Sequence, residues 1–198
     1  MTERQVERRV ASGEFVRLRR AIYCERSAWR SANARDRHAF KAVALGVSLG
    51  PAAAVSHASS AVLLGLPMPW SPTPVWATNP TGSTTRYRSG FRVVAAALPP
   101  GDLTSSGRYN VTTAARTVAD CLRHLDAIDA VTIGDAALRR WPELSSAVPA
   151  LLRRCQTWPH AGRAVRRWRL VDWRRESPAE SWSAVAFARQ RIPFPDRR

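Results

Sequence analysis

The sequence predicts an α+β fold: a partial winged helix at the N-terminus, a mixed helix/strand middle region and an isolated C-terminal helix. Three observations carry that reading. "RQVERRVASGEFVRLRRAIYC" passes from helical spacing, through a glycine, to period-two alternation. "TPVWATNP" and "GFRVVAAAL" are apolar runs of strand length lying between helical segments. "VTTAARTVADCLRHL", "DAIDAVTIGDAALRRW" and "PELSSAVPALLRRC" then repeat apolar residues at helical period.

From Arg4 to Ser12, Val6 and Val10 lie four apart on one helix face, with Arg4, Arg8 and Arg9 around it, and Gly13 marks the stop. Phe15, Val16, Leu18, Ile22 and Tyr23 follow, interrupted by Arg17, Arg19 and Arg20, a strand or hairpin with one apolar and one cationic face. Helix, glycine and basic ribbon are the order of the back half of a winged helix-turn-helix. In such a module the last helix enters the major groove and the wing lies along phosphates. Arg4, Arg8 and Arg9 are therefore expected to face the groove, and Arg17, Arg19 and Arg20 the phosphates.

Residues 27–49 read mainly as helix, with Phe40, Val43, Ala44 and Val47 on one stripe and Gly50-Pro51 at the end. "VSHASSAVLLGLP" is the next helix, with Ser56 as N-cap and Gly65-Leu66-Pro67 as its stop. The two apolar strands come next, joined by the polar loop "TGSTTRYRS", and the turn-rich "LPPGDLTSSGRYN" holds one further short strand. A helix starting at Thr112 or Thr113 turns Ala115, Val118, Ala119 and Leu122 to the core. The stretch from Trp158 to Arg175 is rich in arginine and contains Trp168 and Trp173. It fits equally a nucleic-acid clamp or an arginine-covered helix with its tryptophans turned inward. At "SPAESW", Ser177 caps a last helix, Pro178 suits its first position and Glu180 completes a capping box. Trp182, Val185 and Ala186 continue it, and Pro193 and Pro195 stop it. The expected segments are thus 1–26 (partial winged helix-turn-helix), 27–157 (α/β middle domain), 158–175 (basic connector) and 176–198 (terminal helix).

Charge points to the class of partner. There are 31 Lys+Arg against 15 Asp+Glu, a net +16. Such an excess favours a polyanion, of which nucleic acid is the commonest. Cys24, Cys121 and Cys155 are far apart and form no C-x-x-C pair, as expected of small buried residues in a reducing cytoplasm. Met1 leads into Thr2, Glu3 and Arg4 rather than into an apolar run, so no signal peptide is expected. Residues 42–85 carry no charge but are broken by Gly50-Pro51, His57, Pro67, Pro69, Pro72 and Pro74. No apolar run there approaches the ~20 residues of a membrane span, so it reads as buried interior.

Motifs for catalysis are sparse. His38, His57, His124 and His160 never fall at H-x-x-x-H or H-E-x-x-H spacing, so no metal ligand set is expected. His57 reads as a structural hydrogen-bonding residue, and Ser59 and Ser60 as small helix residues without a G-x-S-x-G elbow. "TGSTT" lacks the G-K-[ST] of a phosphate loop and reads as a hairpin loop. Asp120, Asp126, Asp129 and Asp135 read as solvated faces or charges at helix N-termini.

Taken in order, several of these pieces resemble one family. "GEFVRLRRAIYC" is similar to the wing of AbiE-type (abortive infection, type IV) antitoxins of the actinobacterial branch. "VSHASSAVLLGLP" and "VTTAARTVADCL" resemble two of that family's helices, and "GDAALRR" and "ESPAESW" also fit. The resemblance implies an N-terminal winged helix, an α/β middle region and, in longer relatives, a C-terminal domain like the very-short-patch-repair nucleases. By it, Glu180 is the first-helix carboxylate of a restriction-endonuclease-like fold, and 176–198 is the first helix of a truncated, incomplete endonuclease-like domain. Two departures stand out: Met1 sits almost on the recognition helix, and Ala21 occupies a wing position where relatives have glycine. No E-x-K follows Glu180, and metal-assisted hydrolysis needs several converging carboxylates. Glu180 is then an orphan, with no catalytic residue, metal or cofactor expected. An incomplete domain leaves Trp182, Val185 and Phe187 without a partner sheet, so an exposed apolar patch or disorder beyond about residue 176 is expected. The expected function is a non-enzymatic, DNA-binding antitoxin or transcriptional regulator. The alternative is a remnant or half of an endonuclease-like enzyme, inactive as this chain. The resemblance also implies a nucleotidyltransferase toxin as a second partner.

Overall fold

The computed structural model describes residues 2–67, 74–88 and 90–193, so Met1, Pro69, Pro72 and Pro195 lie outside the described residues. Helices and strands are both present, and the fold is α+β. The chain forms two compact units that cut across the segments expected from sequence. One comprises Met1–Val55 and Pro74–Val111, the other Ser56–Thr73 and Thr112–Arg198.

The first unit opens with α1 (Glu3–Ala11), β1 (Phe15–Arg19) and β2 (Ile22–Glu25). Thr2 and Gln5 form a capping box at the start of α1. At its end Gly13 takes φ +78°, and the amides of Gly13 and Glu14 bond back to the carbonyls of Val10 and Arg9. That Schellman pattern needs a left-handed residue, which glycine supplies at least cost. The tight β1–β2 turn makes the same demand at Ala21, which sits at φ +57°. A side chain there costs about 1–2 kcal/mol, partly offset by the freedom a glycine regains on unfolding. Ala21→Gly is therefore expected to stabilise the fold by about 0.5–1 kcal/mol, seen as a higher urea midpoint at unchanged m-value; an equal or lower midpoint contradicts the strain.

The helix expected over 27–49 is two helices, α2 (Arg26–Ser31) and α3 (Ala34–Leu49). Asn33 divides them, its side chain accepting the Asp36 amide as a new N-cap. Ala42, Ala44, Leu45 and Gly46 form the buried side of α3. A Cβ on Gly46 would stand 2.9 Å from Val55 Cγ2, so the missing side chain lets helix and sheet approach.

That sheet has six strands in the order β5-β6-β4-β3-β8-β7. They are β3 (Ala54–Val55), β4 (Val75–Asn79), β5 (Arg86–Arg88), β6 (Phe91–Ala95), β7 (Leu103–Ser105) and β8 (Asn110–Thr112). Here the readings of "TGSTTRYRS" as a polar loop and of "TGSTT" as a hairpin loop are corrected. β4 and β6 run parallel and cannot be joined by a hairpin, and the segment between them contains β5, antiparallel to β6. "LPPGDLTSSGRYN" supplies β7 and the start of β8, two strands where one was expected.

The second unit is built on helices: α4 (His57–Leu63), α5 (Ala114–His124), α6 (Ala127–Arg140), α7 (Leu144–Arg154), α8 (Ala161–Trp168) and α9 (Pro178–Arg189). α5 starts from Thr113, whose side chain accepts the Arg116 amide, and packs on α4, α6, α7 and α8. Val118, Leu122, Val131, Ile133 and Val148 fill the core among them.

The terminal helix is not isolated, which corrects the sequence reading. α9 lies on α6 with Ser181, Ala184 and Val185 buried, so of the expected apolar patch Val185 is covered, Phe187 is half-buried and Trp182 is exposed. Ser177 accepts the Glu180 amide and Pro178 occupies the first turn, as read from sequence, whereas the Glu180 carboxylate accepts the Glu176 amide in place of the capping-box bond. No helix among the described residues is long and apolar enough to cross a membrane.

Candidate nucleic-acid interface and a buried histidine cluster

The six arginines expected to contact DNA all lie on α1 and the hairpin, but the structure divides them. Arg4 and Arg8 are exposed one helical turn apart, and neither has an ion pair among the described residues. Arg9 is engaged locally: it pairs with Glu14 at 3.4 Å, and its guanidinium lies 5.4 Å from the Phe15 ring centre. Arg17 is exposed and, among the described residues, donates to the Arg19 carbonyl alone, at 3.4 Å.

A bulge separates Arg17 from the other two. Arg17 pairs with Tyr23 and Arg19 with Ile22, so Leu18 is an extra residue and the two-residue alternation breaks there. Leu18 and Arg19, consecutive across the bulge, both line one cavity, and Arg20 of the following turn lines it as well. Arg19 is half-buried with its guanidinium 4.7 Å from the Phe91 ring centre, while Arg20 is exposed at the turn. The uniformly cationic strand face expected from the sequence is thus replaced by an outward Arg17 and a cavity-facing Arg19-Arg20 pair.

The second unit holds a buried polar cluster. His57 opens α4 with φ +53° and is 1% exposed. The Ser56 hydroxyl, expected to cap the helix, lies instead 2.8 Å from His57 Nδ1. His57 Nε2 is 3.1 Å from His124 Nδ1, and the His160 ring meets His124 edge-on. On the same face of α5, Asp120 accepts from Arg116 Nε at 2.8 Å and Arg123 Nη1 at 2.9 Å. Trp158 lies under both guanidiniums, 4.5 and 4.9 Å from its ring centre. Burial drives the His57 pKa down to about 3, with the neighbouring His124, Arg123 and Arg116 acting in the same sense against Asp120. Burial opposes the Asp120 charge, but the two guanidiniums bonded to it prevail and hold its pKa below the ordinary carboxylate value.

His57, Asp120 and His124 bring ligand atoms within 4.8 Å of one another, a grouping that spacing rules missed because His57 comes from a remote helix. The donor set does not fit a cation. Both Asp120 oxygens are held by guanidiniums, and a divalent ion would have to displace one of them from a locally positive cluster. The chemistry available is that of a packed hydrogen-bond network.

Glu180 lies in the first turn of α9, where its Oε2 accepts the Glu176 amide at 3.1 Å. Its neighbour Ser181 donates to Asp135 at 2.7 Å, and Asp135 also accepts from Arg175 Nη1 at 3.0 Å and the Asp172 amide at 2.7 Å. Of the aspartates read as solvated faces or helix N-terminal charges, Asp126 caps α6, exposed and paired with Arg189, and Asp129 lies in the first turn of α6, though buried; Asp120 and Asp135, buried within their helices, are corrected.

No family model matches the chain, and no curated protein or solved structure matches it significantly.

Two groups escaped sequence reading. Arg116, Asp120 and Arg123 stand at i, i+4 and i+7, a spacing that puts acid and base on one helix face and was legible as an internal ion network. Arg86 and Arg88 read as loop residues from sequence, because β5 is too short to show an alternation.

Proposed function

We propose that the chain binds duplex DNA through α1 and the β1–β2 hairpin, as a non-enzymatic regulator of the antitoxin type. The observation that carries this reading is the pair Arg4 and Arg8, one turn apart on exposed α1 with no acidic partner among the described residues, followed directly by a hairpin that presents Arg17. Unpaired guanidiniums on a helix of groove-filling width can reach guanine edges or phosphates, and a ribbon beside it can follow the backbone. The net charge of +16 gives the long-range attraction such binding uses. A nucleotidyltransferase toxin as second partner rests on the motif resemblance, and so does descent from a nuclease-bearing chain. Glu180, committed to the start of its own helix, is not expected to support cleavage.

Each phosphate neutralised contributes about 0.9 to the slope of log affinity against log salt. Fluorescence anisotropy with a labelled duplex is expected to show affinity falling steeply between about 50 and 200 mM salt. Arg4→Ala with Arg8→Ala is expected to lower the slope by about 1.8 if both meet phosphates. Binding that ignores salt, or is untouched by both substitutions, refutes the reading. Magnesium-dependent nicking of plasmid DNA that disappears in Glu180→Gln would instead establish the nuclease alternative.

A further inference from the structure

Between the hairpin and the edge of the six-stranded sheet lies a cavity of about 670 Å³, inside the range of small-ligand sites. It is strongly one-signed. Arg19 and Arg20 reach it from the hairpin and Arg86 and Arg88 from β5, and no carboxylate lines it among the described residues. Arg20, Arg86 and Arg88 make no ion pair among the described residues and are exposed. On β5, Arg86 and Arg88 share one face while Tyr87, 69% exposed, points away. Four arginines lining one cavity without an acid repel one another, and an anion held among them relieves that repulsion.

The remaining walls narrow the anion's chemistry. Thr81, whose hydroxyl donates to Asn79 Oδ1 at 2.8 Å, and Thr84 also line the cavity, together with the apolar Leu45 and Val93. The Arg19 guanidinium lies over the Phe91 ring, and such a planar cation on an aromatic face is a stacking surface for a further ring. A ligand matching this set carries both an anionic phosphate and a planar ring.

We propose that the cavity binds a nucleotide, its phosphate held by Arg20, Arg86 and Arg88 and its base seated beside Arg19 and Phe91. A duplex keeps its bases stacked inside and cannot present one here; a free mononucleotide or an unpaired nucleotide of a strand can. The site does not depend on duplex binding by Arg4 and Arg8.

The test titrates the full chain with an N-methylanthraniloyl-labelled ATP, using unlabelled ATP and a thymidylate octamer as competitors. Saturable binding is expected, weakened about tenfold or more by Arg86→Gln with Arg88→Gln. Arg4→Gln with Arg8→Gln is expected to leave it unchanged, which separates this site from the duplex interface. Displacement by ATP alone identifies a free-nucleotide site, and displacement by the octamer at far lower concentration identifies an unpaired strand; either supports the proposal. Both arginines on β5 are exposed, so circular dichroism should report an unaltered fold. The proposal is overturned if neither probe binds saturably, or if Arg153→Gln with Arg154→Gln, on the other unit, weakens binding as much.

Discussion

Asp135→Ala is expected to destabilise the helical unit by about 3–5 kcal/mol, the usual consequence of removing one partner from a buried ion pair. This single carboxylate takes three donors, from Arg175, Ser181 and the Asp172 amide, and is 1% exposed. It connects α6 to α9 and to the segment that leads into α9. Without it, the Arg175 guanidinium is left in a site that is 8% exposed and lacks its acid. Burial nevertheless pushes the Asp135 pKa up, against the effect of its donors. The charge is thus held at some expense, and much of the expected loss comes from stranding Arg175 rather than from the pair's own net worth. Asp135→Leu combined with Arg175→Met should therefore lose far less than Asp135→Ala. Urea unfolding of the three variants measures this, and tryptic cleavage at Arg189 reports whether α9 comes loose. Asp135→Ala within about 1 kcal/mol of the parent refutes the anchoring role.

What could be read from the sequence follows how local each determinant is. The ends of α1 and α9 were legible because Gly13 and the Ser177-Pro178 pair act through neighbouring backbone groups alone. The positions of β4 and β6 were legible from apolar runs, but not their parallel pairing, which depends on β5 returning along the far side of β6. The bulge at Leu18 left no mark in a pattern that otherwise alternates, yet it decides which arginines face outward and which face the cavity. Aspartates looked solvated because burial of a carboxylate depends on who supplies the counter-charge. For Asp135 that is Arg175, far along the chain and reached only once α6 and α9 pack. For Asp120 it was within reach of reading, since Arg116 and Arg123 are on the same helix. The terminal helix looked unpartnered for the same reason: its partner, α6, carries no local sign of the face it offers.

Acid is expected to weaken the helical unit well before its carboxylates are neutralised, because of His57. Burial holds this imidazole neutral, with a pKa lowered from 6.5 to about 3. Between those values the unfolded chain takes up a proton that the folded chain refuses. The stability that depends on a neutral ring is complete above pH 6.5 and declines by about 1.4 kcal/mol per pH unit as pH falls towards 3. Admitting the proton in the fold costs burial of an imidazolium beside the His124 ring and the Arg123 and Arg116 guanidiniums, with Asp120 opposing them. Asp120 adds a second decline of the same direction, beginning only below its ordinary value of 3.8, because its own pKa is depressed in the fold. In the other unit His38, lowered to about 4 first by burial and then by Lys41, contributes a parallel decline. His57→Asn isolates the first effect, since asparagine does not titrate and tolerates the left-handed φ of +53°. That variant should be less stable than the parent at neutral pH but lose stability less steeply with acid, by about one proton's worth between pH 6 and 4. Urea midpoints followed by circular dichroism across that interval measure the slope. An unchanged slope in His57→Asn means the ring is not held neutral by the fold, and the buried cluster then has a different protonation from the one its geometry requires.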